Sequence, residues 1–220
     1  MAILGRKTYA GVGSRKAPEW ACKKLSLLAY VLASEGYICN SGLAPQSDEA
    51  FYWGIKAYCD EMKADLDKLY KGFIPWNGFM KKWYFHMPGV TLIQDPTLID
   101  KATAIAKHHM SQSHWDACTE QAQQLHSRNS FQMYGEKLNK RVGFVACWAP
   151  PTGKGDHVKG GTGQTVRIGI KEKMPIFNIA TKDGLRWANA KIQKFLVRGG
   201  VFPKSLLEHV FVQPTNGQHA

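Results

Sequence analysis

Four stretches of this chain gather residues that could hold an anion or a nucleotide. GVGSRKAP (11–18) offers the N–H groups of Gly11 and Gly13, the Ser14 hydroxyl and the Arg15 guanidinium between a strand-like and a helix-like run. Glycines there let the backbone approach an anion, and a helix start adds partial positive charge. SGLAPQSD (41–48) sets Asp48 at a helix start, where its carboxylate could accept from ribose hydroxyls or serve as a cap. HSRNSFQMYG (126–135) carries Arg128 and Gln132 at i and i+4 with Asn129 beside them, a polar helix face that could equally face solvent. KGGTGQTVRIGI (159–170) places the N–H groups of Gly161 to Gln164 at another helix start, a simple phosphate cradle.

Several familiar chemistries are excluded by spacing. GVGSRK is not a dinucleotide fingerprint, because Lys16 occupies its last glycine position. PTGKGDHVKGGTGQT (151–165) lacks the glycine-lysine-serine/threonine end of a P-loop. No GxSxG nucleophile turn is present. His108, His109, His114, Cys118 and His126 crowd one region, with His114 and Cys118 at i, i+4. With neither a supporting carboxylate nor a closing pair of ligands, they lead to no expected metal, and no cofactor is expected either.

The elements that must position these residues follow from periodicity and punctuation. KTYAGVG (7–13), YICNSG (37–42), VTLI (90–93), RVGFVACW (141–148) and MPIFNI (174–179) read as strands. Helices are expected in PEWACKKLSLLAYVLASEG, with Pro18 in the first turn and Gly36 as the stop, and in SDEAFYWGIKAYCD, with Ser47 or Asp48 at its start. Further helices are read in PTLIDKATAIAKHH, in SHWDACTEQAQQLHSRNSFQMYGEKL with one break, in TGQTVRIGIKEK and in DGLRWANAKIQKFLVRGG. Residues 61–89 are punctuated by proline and glycine and read mostly as an aromatic and basic loop insertion. This alternation predicts an α/β, Rossmann-like, doubly wound and mostly parallel sheet with helices on both faces. The expected organisation is one nucleotide-binding domain over 1–198 and a basic C-terminal tail over 199–220. In such a fold the loops 11–17, 41–48 and 148–163 would share the crevice at the strands' carboxyl ends.

Composition narrows the partners. The chain has 220 residues, 44% of them apolar, enough for one substantial core, and a net charge of +12. Nine basic and three acidic side chains lie in residues 161–220. Such a field favours polyanions or anionic ligands, although it also serves solubility. The five cysteines are odd in number and scattered, which fits reduced thiols in a cytoplasm. No stretch approaches the roughly 20 apolar residues of a membrane span, so no membrane partner is expected.

Taken together, YAGVGSRKAPEW, GYICNSGLAPQSDEAF, IPW, HSRNSFQMYG, FVACW, GGTGQTVRIGI and MPIFNI resemble, in content and order, phage-type relatives of DNA-processing protein A. That group lies in the SMF/DprA–LOG (SLOG) superfamily of Rossmann-like proteins. The resemblance runs from about residue 8 to 180. It implies one nucleotide site, with Gly13, Ser14 and Arg15 on phosphate and Ser41, Gly42 and Asp48 as a second wall, Asp48 near ribose. Arg128, Asn129 and Gln132 match the family's arginine-asparagine-glutamine helix, and Gly160, Gly161, Thr162 and Gly163 match its closing turn. It also implies a host cytoplasm if the chain is phage-encoded, and it is compatible with a homo-oligomer.

The superfamily carries three kinds of function, and each stays open at this point. DNA-processing members bind single-stranded DNA without breaking a bond. Here Trp76, Phe79, Trp83 and Tyr84 could stack bases while Lys71, Lys81 and Lys82 track phosphates, or the same segment could be a flap over the pocket. LOG members hydrolyse the N-glycosidic bond of nucleoside monophosphates with a glutamate, whose position Arg167 occupies in this chain. Were the site hydrolytic, Asp48 and Arg128 would be its catalytic residues. A third use is the capture of nucleotide-derived signals such as cyclic ADP-ribose species. Binding without strong catalysis is the favoured expectation.

Overall fold

The runs KTYAGVG and RVGFVACW become β1 (Thr8–Gly13) and β5 (Phe144–Trp148), paired in parallel at the centre of a six-stranded sheet. The computed structural model describes residues 7–153, 157–158 and 160–211. From β1 the sheet grows one way through β2 (Ile38–Ser41), β3 (Tyr70–Ile74) and β4 (Val90–Leu92). It then resumes on the far side of β1 with β5 and β6 (Ile176–Asn178). All five pairings are parallel, in the order β4-β3-β2-β1-β5-β6. The α/β doubly wound expectation therefore holds, and the winding reverses between β1 and β5.

Helices cover both faces, so the central strands are apolar along their length. One face carries α1 (Glu19–Ser34), α2 (Ser47–Met62) and α8 (Lys182–Val197). Leu25, Leu28 and Leu32 of α1 pack there with Phe51 and Ile55 of α2 against Tyr9 and Cys39. Ten of the sixteen α1 residues are buried because the helix lies between its neighbours and the sheet. The other face carries α4 (Pro96–His108), α6 (Glu120–Tyr134) and α7 (Gly160–Lys171). Met133, Val166 and Ile168 close a second cluster over Ala10, Val12 and Val145. A fully buried side chain of this size contributes about 1.5–3 kcal/mol, so both faces hold the sheet.

Two details differ from the sequence reading, and a third agrees with it. Residues 61–89 are not all loop: after α3 (Leu66–Leu69), YKGFI forms β3, an inner strand with Tyr70, Phe73 and Ile74 fully buried. Lys71 and Gly72 masked its apolar pattern, and only 75–89 remains an excursion. The 199–220 segment is no free basic tail over its described part. Phe202 and Leu206 of the α9 (Lys204–Leu207) region are buried with Tyr30 and Val31, and Lys204 meets Glu208 at 3.5 Å. Residues 212–220 lie outside the described residues. The long helical stretch does break once, between α5 (Gln112–Asp116) and α6, where Thr119 caps the second helix.

None of the cysteines forms a disulfide among the described residues. No helix among them is long and apolar enough to cross a membrane.

Candidate functional site

In an open α/β sheet the ligand crevice lies where the winding reverses, outside the carboxyl ends of the strands. Here that point is bounded by Gly13 and Ser14 after β1, by 42–46 after β2, by Trp148 at the end of β5, and by the start of α7. Side chains from α6 reach the same place. All four sequence-derived stretches are thus brought together.

Asp48 is buried and bridges two of them. Its Oδ1 accepts from the Gly13 N–H at 2.9 Å and its Oδ2 from the Gly42 N–H at 3.2 Å. It does not cap its own helix, a role taken by Gln46 with Glu49 in a reciprocal box. Burial pushes the Asp48 carboxyl up to about 6, against the pull of Arg128 and of N–H donors at Ala44, Gly13 and Gly42. The Gly13 N–H, expected on phosphate, and the Gly42 N–H of the expected second wall are therefore committed to a carboxylate. Ser41 is committed too, its hydroxyl donating to the Gly11 carbonyl at 2.6 Å. The Ser14 N–H donates to Trp148 O at 2.9 Å, while Arg15 stands exposed at the rim. The loop before Asp48 is strained, with Leu43 at φ 56° and Gln46 at φ 71°.

Arg128 is the most unusual residue of the site. It is 6% exposed, yet its Nε and Nη1 make no hydrogen bond. Its guanidinium lies on the Gly42 backbone, where a Cβ would overlap both it and the Gln132 amide. The Phe79 ring covers it at 5.5 Å from the centroid. Desolvation lowers its pKa and the Asp48 charge opposes that, but an arginine stays protonated. Arg128 also lines a cavity of about 210 Å³ between α4, α5 and α6, with Ile93, Ile99, Trp115 and Phe131 as apolar walls and Thr103 and Gln123 as polar ones. A buried cation with open donors costs stability unless a ligand uses them.

The start of α7 closes the other side. Gly160 and Gly161 are exposed, Thr162 and Gly163 are buried, and the first turn holds no acidic residue. Gly163 admits no side chain, because a Cβ would run into the Val158 carbonyl. Asn129 donates to the Gly161 carbonyl at 3.3 Å and to Gln164 Oε1 at 3.0 Å, and Thr165 donates to Gln132 at 3.4 Å. The Gln164 amide nitrogen is buried without a partner. Arg167 lies beside Gly163, so a guanidinium group and a helix start bear on this edge. Gln46 and Thr165 carried no sequence signal, since both look like ordinary helix-start polar residues.

The 75–89 excursion is divided between the two roles foreseen for it. Phe79 is buried on Arg128, Trp76 packs edge-on to Phe79 at 5.3 Å, and Lys82 is ion-paired with Glu49. These three form a flap rather than a stacking surface. Lys81, Trp83, Tyr84 and Phe85 are exposed on its outside, while Lys71 is half-buried in β3.

No protein-family model matches the chain, and no curated protein does. Among solved structures the chain is similar to DNA processing protein A from Helicobacter pylori, whose structure is described for its single-stranded DNA binding mode. The TM-score is 0.48 and the identity 15%, over 89% of this chain and 83% of that one.

Proposed function

We propose that the crevice binds a phosphate-bearing nucleotide, free or as one unit of a single-stranded nucleic acid, and leaves it intact. The observation that carries this reading is Arg128, buried to 6% exposure with two donors unpaired. The phosphate is assigned to the α7 start and Arg167, where N–H groups and positive charge converge. The cavity of about 210 Å³ falls short of the roughly 300 Å³ of a whole-ligand pocket, which suits one base. The net charge of +12 and the exposed Trp83, Tyr84 and Phe85 beside Lys81 support extension along a single strand.

Retention rather than cleavage is supported by the state of Asp48. Both its oxygens already accept backbone N–H groups, and Arg167 stands where hydrolytic relatives would have their acid. One observation favours the alternative N-glycoside hydrolase: a carboxyl lifted to about 6 titrates near neutrality, as a general acid should. Incubation with a nucleoside monophosphate panel followed by chromatography separates the readings. Binding with full recovery supports retention, including capture of a nucleotide-derived signal, whereas free base lost in Asp48→Ala supports hydrolysis. No binding of any mononucleotide or single strand at low salt refutes the proposal.

A further inference from the structure

His114 on α5, Cys118 in the turn after it and His126 on α6 each offer one ligand atom, and these atoms lie within 4.8 Å of one another. The two imidazoles meet edge to face with centroids 6.1 Å apart. Sequence spacing shows only the His114–Cys118 pair. The α5–α6 corner supplies the third ligand by folding His126 back onto them.

A hydrogen-bond chain fixes which nitrogen of His126 is basic. The Gly161 carbonyl can only accept, so the Asn129 atom facing it is the amide nitrogen. That nitrogen also donates to Gln164 Oε1, and the same oxygen lies 2.6 Å from His126 Nδ1. His126 therefore carries its proton on Nδ1 and keeps a lone pair on Nε2. Metal-bound histidines are held this way, the second ring nitrogen donating to an oxygen behind it.

We infer that His114, Cys118 and His126 form a three-ligand site for a zinc-like divalent ion, with the fourth position open to water or a ligand atom. Two imidazoles and a thiolate without carboxylate suit zinc and disfavour magnesium or calcium. Zinc bond lengths require donors about 3.5 Å apart, so the three ligand atoms, within 4.8 Å of one another here, draw in around the ion on binding. Binding displaces the Cys118 thiol proton to solvent and forms the sulfur–metal bond. The ion would clip α5 to α6, fixing Trp115 against Ser127 and Arg128 in the cavity wall. The site stands whether or not the crevice holds a nucleotide.

The test uses the full chain stripped with a chelator and titrated with Co²⁺. A thiolate-to-cobalt charge-transfer band saturating at one equivalent and bleached by Zn²⁺ is expected. It should vanish in Cys118→Ser and His126→Ala and persist in His108→Ala. Zinc should also slow alkylation of Cys118 in the unmodified protein by about tenfold or more, read by mass spectrometry of the Cys118 peptide. Absence of the band at one equivalent, its survival in Cys118→Ser, or unslowed alkylation overturns the inference.

Discussion

Replacing Asp48 with asparagine removes one buried carboxyl and keeps its shape. The folded protein lifts this group from 3.8 to about 6, so it holds the proton more tightly than the unfolded chain does. Stability from Asp48 is therefore full below its unfolded pKa and is lost as pH rises through about 6. Two pKa units correspond to about 3 kcal/mol. The asparagine amide sets an N–H against a backbone N–H, a pH-independent offset that cancels from the slope. Denaturant unfolding of both proteins between about pH 4 and 7 should show wild-type stability minus Asp48→Asn stability falling by about 3 kcal/mol. A difference that is flat, or that rises with pH, would refute the reasoning, because it would mean that Arg128 holds the carboxylate as a direct ion pair.

The same titration should appear in binding: if Asp48 accepts ribose hydroxyls as an anion, nucleotide affinity should rise with pH through about 6 and be level in Asp48→Asn, by calorimetry at several pH values. Gly42→Ala should destabilise by about 1–3 kcal/mol through overpacking and weaken nucleotide binding, because the new methyl displaces the Arg128 guanidinium; melting and titration together check this. Trp83→Ala and Tyr84→Ala should each weaken single-stranded DNA binding by about 1–3 kcal/mol in anisotropy titrations, while mononucleotide affinity is unchanged.

The sheet and its helices were legible wherever apolar periodicity was uninterrupted, as in β1, β5 and α8. β3 was hidden because Lys71 and Gly72 interrupt five residues of strand between an aromatic-rich loop and a short helix. Of the site, the residue types and their convergence were readable, because glycines and polar groups collected at strand ends. Their roles were not. Gly13, Gly42 and Ser41 looked like ligand donors, but packing of α2 beneath β1 and β2 turned their polar atoms toward Asp48 and Gly11. Trp76 and Phe79 read equally as base-stacking rings or as a flap, and Lys82 as a phosphate contact, until the hairpin bridge Phe79–Lys82 settled their packing. His126 was legible as one of a crowd of histidines, and it is the turn at Thr119 that brings it onto His114 and Cys118.

Calorimetric titration of a nucleoside monophosphate into the wild type and into Arg128→Met tests the central claim most directly. Methionine keeps the apolar stem and deletes the donors, and circular dichroism verifies that the variant is folded. The account predicts saturable binding by the wild type and a loss of at least about tenfold in the variant, in line with charge-assisted hydrogen bonds of about 1.5–3 kcal/mol. Equal affinity in the two proteins would contradict it.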